Sequence, residues 1–177
     1  MTLFFYLIIA LITFFAFLHA WSKKDYDVSR TVVINKPREE VFNFARQLKN
    51  QPLWNPWFER DPNAIMKYKG EDGKVGASFY WKGNNKVVGE GIQRIVKAKQ
   101  GRVYETKVLF VKPVKVNALT YIGVKEIEAE KTKMVWGAKG HLAFPLTIIS
   151  IFYSPEKALG ENFDKGLKDL KSLLESR

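Results

Sequence analysis

The sequence has 177 residues, no cysteine and a formal net charge of +11. The lack of cysteine excludes disulfides, thiolate metal sites and thiol nucleophiles, and an apolar content of 46% excludes a disordered chain. The length accommodates one domain. The excess of Lys and Arg indicates an anionic lipid surface, an acidic ligand or nucleic acid as partner, or simply a soluble surface with scattered charges.

The first segment is apolar along its whole length, and residues 1–22 contain no Asp, Glu, Lys or Arg. As an α-helix its twenty central residues would span about 30 Å, the thickness of the hydrocarbon core of a bilayer. Tyr6 and Trp21 lie where interfacial aromatic anchors are expected. The sequence therefore predicts a transmembrane helix over residues 1–22, followed by a linker at residues 23–27.

A cleaved signal peptide is the alternative interpretation of this segment. Such a peptide has a positively charged start and small residues before its cleavage site, whereas no Lys or Arg precedes this run and Leu18 stands two residues before Ala20. Lys23 and Lys24 follow directly, and the positive-inside rule would keep them in the cytoplasm. We therefore expect an uncleaved single-pass anchor with the domain, residues 28–177, on the cytoplasmic face of the membrane.

The domain begins with a β-branched run at residues 28–34, which predicts a strand. Pro37 then opens an amphipathic helix. Residues 51–62 form a loop, because the three prolines in it are incompatible with regular structure. From about Ala64 to His141, stretches rich in Val, Ile and aromatic residues alternate with turn signals, a pattern that predicts about six successive strands in an antiparallel meander.

The C-terminal part is helical again. Ser154 and Pro155 suit the cap and the first position of a helix, and the segment that follows carries an apolar stripe of Leu and Phe. The apolar residues 144–153 before it either extend this helix backwards or rest on the bilayer. Strand, helix, about six strands and a long final helix make an α+β fold.

Five stretches carry a resemblance to a known family: VSRTVVINKPREEVFNF, WNPWFERDP, VGASFYWKG, VVGEGIQRI and GENFDKGLKDLKSLLE. Their order and spacing, from about Val28 to Glu175, resemble the polyketide cyclase/dehydrase-like branch of the START (SRPBCC) superfamily. The resemblance implies a helix-grip fold, with a curved antiparallel sheet of about seven strands around a long C-terminal helix and a hydrophobic cavity between them. It also implies binding or carriage of lipids, polyketides or other apolar small molecules. The transmembrane helix is an addition to that layout.

Catalytic and metal-binding motifs are scarce. The only histidines, His19 and His141, lie on either side of the expected membrane boundary, so we expect no histidine metal pair, no Ser-His-Asp triad and no cofactor. Glu90 lies between glycines in an apolar strand. Inside the cavity its pKa would be raised by desolvation and it would serve as a general acid or base; the alternative is that it faces solvent or pairs with a lysine such as Lys107.

Aromatic side chains are the candidates for lining the cavity, because large rings supply contact area. Trp81 and Trp136 are the first candidates. The second group consists of Phe79, Tyr104, Phe110 and Tyr121. Core packing is the alternative for each of them. Trp54 and Trp57, in the proline-rich loop, would form a lid at the cavity mouth or a membrane-facing patch, or would simply anchor the loop.

Three functions follow from these features. The preferred one is non-enzymatic binding or transfer of a hydrophobic small molecule or lipid by a membrane-anchored domain. The second is a cyclase or dehydratase that uses Glu90. The third, a nucleic-acid or protein-interaction module, is disfavoured because the lysines are scattered and the chain is anchored. We therefore expect an apolar ligand and the membrane as partners, and no nucleic acid.

Overall fold

The computed structural model of the chain describes residues 2–152 and 154–177, so Tyr153, at the end of the apolar stretch, lies outside the described residues. The α-helices are α1 (Thr2–Trp21), α2 (Arg38–Ala45), α3 (Pro56–Glu59), α4 (Leu146–Phe152) and α5 (Pro155–Glu175), with a 3-10 helix at Leu48–Leu53. The strands are β1 (Asp25–Ile34), β2 (Ile65–Lys69), β3 (Ser78–Lys82), β4 (Glu90–Lys99), β5 (Val103–Lys112), β6 (Val116–Glu128) and β7 (Lys131–His141).

Helix α1 stands apart from the globular domain, and none of its residues is buried. Among the described residues it is the one helix long and apolar enough to cross a membrane. Within the described residues, only its last turns touch the domain: His19 Nδ1 lies 2.7 Å from Thr147 Oγ1, and the His19 ring packs edge-on against Phe144. The globule therefore holds the C-terminal end of α1 and leaves the remainder unpartnered.

The seven strands form one antiparallel sheet in the order β1-β7-β6-β5-β4-β3-β2. The predicted meander of six strands and the α+β class are confirmed. Strand β1 begins at Asp25, three residues before the predicted start, because Asp25 pairs with His141 at the end of β7. Three residues, 22–24, therefore separate α1 from the sheet.

Helix α5 covers the inner face of the sheet with the apolar stripe that the sequence indicates. Phe163, Leu167, Leu170 and Leu174 are buried along it. Gly166 permits the close approach, since a Cβ at this position would lie 2.7 Å from Cζ3 of Trp136. The sheet and α5 thus form the two layers of the domain.

The register of the sheet decides which loops lie near α1. Because β1 starts directly after α1 and its neighbours run antiparallel, the start of β1 shares one end of the sheet with the end of β7. The same end carries the β3–β4 loop, residues 83–89, and the β5–β6 loop, residues 113–115. We call this the α1 end of the sheet. The loop at residues 70–77, between β2 and β3, lies at the opposite end.

Candidate ligand-binding site

A cavity of about 390 Å³ lies between the inner face of the sheet and α5. Its wall is mainly apolar. The sheet contributes Val108, Ala118 and Ala138, and α5 contributes Leu159 and Phe163. Every second side chain of a strand points to the same face of the sheet. These small and branched residues of neighbouring strands therefore form a continuous apolar surface opposite the helix.

The cavity opens at the α1 end of the sheet. Its mouth is formed by the exposed residues Lys86, Val87, Pro113 and Val114, which belong to the β3–β4 and β5–β6 loops. Two larger depressions, of about 1040 and 750 Å³, lie outside the space between the sheet and α5: one on the outer face of the sheet and one beside the end of α1. The inner cavity is therefore the best candidate for enclosing a ligand.

Four of the aromatic residues singled out in the sequence line this cavity: Trp57, Trp81, Phe110 and Trp136. Nε1 of Trp81 and Nε1 of Trp57 both donate to the backbone oxygen of Val88, over 3.1 and 3.3 Å. Both rings also pack against Phe110, with centroids 5.5 Å away. The two indoles thus fix the β3–β4 loop at the mouth, and Trp57 occupies the mouth position that one interpretation of its loop predicts.

The other four aromatic residues do not line this cavity, and core packing, the alternative interpretation, describes Phe79 and Tyr104. Phe79 is buried beneath Phe58 and stacks on Tyr68. Tyr104 faces inward but is enclosed by core side chains, and this burial raises its pKa.

Trp54 and Tyr121 miss the cavity for different reasons. Trp54 is 0% exposed and packs edge-on against Trp136 at 4.8 Å, which corresponds to loop anchoring and not to a lid. Tyr121 projects from the outer face of β6, where its hydroxyl donates to Oδ1 of Asp27.

Glu90 lies on the outer face of the sheet and not among the cavity lining, which corresponds to the alternative interpretation in which it pairs with a lysine. The hydroxyl of Tyr80 donates to its carboxylate over 2.9 Å, and Nζ of Lys112 lies 3.3 Å from the second oxygen. These contacts, the Tyr80 hydrogen bond first, hold the pKa of Glu90 below its ordinary value. The lysine on the neighbouring strand is Lys112 and not Lys107. Glu90 faces outward because Gly91, directly under the Trp81 ring, takes the inward position.

Polar side chains that the sequence analysis did not single out lie on the cavity floor. Gln93 of β4 and Thr120 of β6 line it, and Thr106 of β5 lies between them, fully buried. Nε2 of Gln93 donates to Oγ1 of Thr106 over 2.8 Å, and Oγ1 of Thr106 lies 2.6 Å from Oγ1 of Thr120. The sequence does carry a signal for this group: three polar residues stand at inward positions of strands whose other inward residues are apolar.

The ionisable groups of the cavity are few. Its described lining contains Tyr26, Lys86 and Lys112 but no Asp, Glu or His. Burial raises the pKa of Tyr26, so its phenol is protonated at neutral pH. Within residues 2–152 and 154–177, no group of three His, Asp or Glu side chains is arranged to hold a metal ion. The site is thus built for contact with apolar surface and for neutral hydrogen bonds.

No protein-family model matches this sequence, and no curated protein sequence matches it significantly. Solved structures do share its fold. A Staphylococcus aureus protein of unknown function aligns with a TM-score of 0.66 at 10% identity, over 89% of this chain and 97% of that one. DynU16, from the dynemicin biosynthetic locus, aligns with a TM-score of 0.58 at 13% identity, over 84% of this chain and 47% of that one.

A third similar structure is Ara h 8.0201, with a TM-score of 0.56 at 9% identity over 86% of this chain and 99% of that one. At such identities the likeness establishes the fold alone. The seven-stranded antiparallel sheet, packed against the long C-terminal helix α5, makes this a helix-grip fold, as the sequence resemblance implies.

Proposed function

We propose that this protein binds a hydrophobic small molecule or lipid in its inner cavity while α1 holds the domain at a membrane. The observation that carries the proposal is the apolar cavity between the sheet and α5, with its mouth at the α1 end of the sheet. An apolar ligand that leaves water for this wall gains about 25 cal/mol for each Å² of apolar surface removed from water. Transfer to another acceptor would reverse the same step.

The composition of the mouth supports exchange of ligand with a membrane. Val87 and Val114 are 57% and 48% exposed at the loop tips, and Lys86 and Lys115 stand beside them with their side chains in solvent. Apolar tips flanked by lysines suit the interface of an anionic bilayer, where each well-placed lysine contributes about 1 kcal/mol. A ligand would then enter the cavity from the leaflet without crossing water.

The role of α1 as an uncleaved anchor belongs to the same proposal. Since none of its residues is buried, α1 does not serve as a core helix. Lys23 and Lys24 support a cytoplasmic domain through the positive-inside rule. The intact mass of the protein recovered from membranes separates an anchor from a signal peptide: an anchor retains residues 2–21, and a processed signal peptide loses them.

One structural comparison supports the handling of a small molecule, and the position of Glu90 argues against catalysis. DynU16 belongs to a biosynthetic locus, and a fold shared with such a protein is compatible with the handling of a small molecule. The enzymatic alternative has lost the group on which it depends, because Glu90 lies on the outer face with a lowered pKa. The remaining cavity phenol, Tyr26, is protonated at neutral pH.

A pair of variants on one strand tests the binding proposal. Ala118 lines the inner cavity, and Leu119 faces the outer side of β6. Ala118→Phe would fill part of the 390 Å³, whereas Leu119→Phe adds a ring outside it. Native mass spectrometry of the detergent-extracted full-length protein is expected to detect an apolar ligand on the wild type and on Leu119→Phe. The Ala118→Phe variant should carry at least tenfold less, and equal occupancy of both variants would refute the proposal.

A further inference from the structure

The Gln93–Thr106–Thr120 group on the cavity floor has a defined hydrogen-bond direction. Thr106 is 0% exposed, and its oxygen accepts the N–H of Gln93. Within the described residues, the hydroxyl oxygen of Thr120, 2.6 Å away, is the one acceptor recorded for the proton of Thr106. A buried hydroxyl without an acceptor costs about 1–3 kcal/mol, so the Thr106 O–H donates to Thr120.

This direction leaves the hydroxyl proton of Thr120 without a partner in the described part of the chain. Thr120 lines the cavity, and its hydroxyl forms no other hydrogen bond with a described residue. Each donor in the series points to the next oxygen, from Gln93 through Thr106 to Thr120, and such a series polarises its last O–H. The hydroxyl of Thr120 therefore presents an oriented hydrogen-bond donor on the floor of an apolar cavity.

We infer that the ligand of this cavity is an apolar molecule that carries a carbonyl oxygen, which accepts a hydrogen bond from Thr120. This inference rests on the proposed function and narrows its ligand class. The carbonyl end enters first and reaches the floor, while the hydrocarbon part contacts Val108, Ala118 and Leu159 of the wall and the rings at the mouth. A pure hydrocarbon leaves the Thr120 donor unsatisfied and binds less tightly.

Two probes of one shape test this ligand class. Fluorene and 9-fluorenone have the same tricyclic skeleton, but only fluorenone carries a carbonyl oxygen. Equilibrium dialysis of the full-length protein in nanodiscs, with empty nanodiscs as the blank, gives the Kd of each probe. The Kd of each variant is compared with that of the wild type for the same probe, so the partition of the probe into lipid cancels.

Thr120→Val is expected to weaken fluorenone binding about fivefold, the factor that corresponds to one net hydrogen bond, and to change fluorene binding less than twofold. Thr120→Ser keeps the hydroxyl and should retain most of the preference of the wild type for fluorenone. If Thr120→Val fails to fold, Gln93→Leu/Thr106→Val/Thr120→Val is the second variant, because it removes all three polar groups together and leaves none of their buried protons without an acceptor. It should show the same loss of fluorenone binding.

The outcomes separate the two proposals. Equal losses for both probes in Thr120→Val, or no loss for either, would overturn the carbonyl inference while binding of an apolar ligand stands. Failure of the wild type to bind either probe above the empty-nanodisc blank would count against the proposed function itself, and the inference would fall with it.

Discussion

At the scale of single residues, Glu90 shows how local contacts set the chemistry of a carboxyl group. The Tyr80 hydroxyl and the Lys112 ammonium both favour its charged form, and the pKa is lowered. A group whose pKa is lower in the folded state stabilises that state above its unfolded pKa, about 4.3 for Glu, and this contribution is lost as the pH falls through the lowered value.

Glu90→Gln should therefore make the stability of the protein depend less on pH in the acid range. Below about pH 4.3, the thermal midpoint of the wild type is expected to fall more steeply with decreasing pH than that of the variant, because only the wild type takes up this proton on unfolding. Thermal unfolding of the detergent-solubilised protein between pH 3 and 7 measures this. Glu161→Gln is the matched control, since Glu161 is exposed and forms no salt bridge with a described residue. Parallel curves for wild type and Glu90→Gln would contradict the assignment.

Single positions also mark the limit of sequence-based prediction. Trp81 and Trp136 were recognised because a large ring in an apolar strand favours the inner face. Tyr121 could not be placed by the same logic, since β6 has apolar residues at successive positions and its faces differ by one residue of register. Gln93 and Thr120 were missed because a polar residue in a strand is ordinarily assigned to the solvent side.

At the scale of elements, α4 and the last turns of α1 form one apolar unit. Thr147 of α4 is buried against His19, while Ile149, Ile151 and Phe152 of the same helix are exposed, the last at 81%. An apolar helix face beside the end of a membrane span suits the bilayer interface. We therefore expect α4 to lie in the lipid headgroup region.

Depth measurements on the full-length chain check this placement. The native sequence has no cysteine, so a fluorophore can be attached to a single introduced thiol. A label at Phe152→Cys should be strongly quenched by brominated lipids in nanodiscs. A label at Val75→Cys, which is also exposed, at 60%, but lies in the loop at the other end of the sheet, should not be quenched. Equal quenching at the two positions would contradict the proposed contact.

The elements differ in how well the sequence predicts them. The six-strand meander was predictable, because turn residues recur between β-rich segments. The apolar stretch at residues 144–153 left two interpretations, and the structure gives a separate short helix, Leu146–Phe152, in place of an extension of α5. The contact that orients α4, between His19 and Thr147, joins residues 128 positions apart, and no local pattern encodes it.

At the scale of the whole molecule, the topology of the sheet places α1 and the mouth of the cavity at the same end. Helix α1 leads into β1 at one end of the sheet, and antiparallel pairing brings the two mouth loops to that same end. The opening between Val87 and Val114 is thereby placed on the side from which α1 emerges. A helix-grip domain tethered in this way would take its ligand from the adjacent leaflet.

A photoreactive fatty acid with a diazirine group in its chain, incorporated into nanodiscs with the full-length protein, tests this central claim most directly. After illumination, peptide mapping locates the adducts. The account predicts adducts on the cavity wall, at residues such as Val108 and Leu159, as well as on α1, and predicts that Ala118→Phe removes the first set and keeps the second. Adducts confined to α1 in the wild-type protein would contradict it.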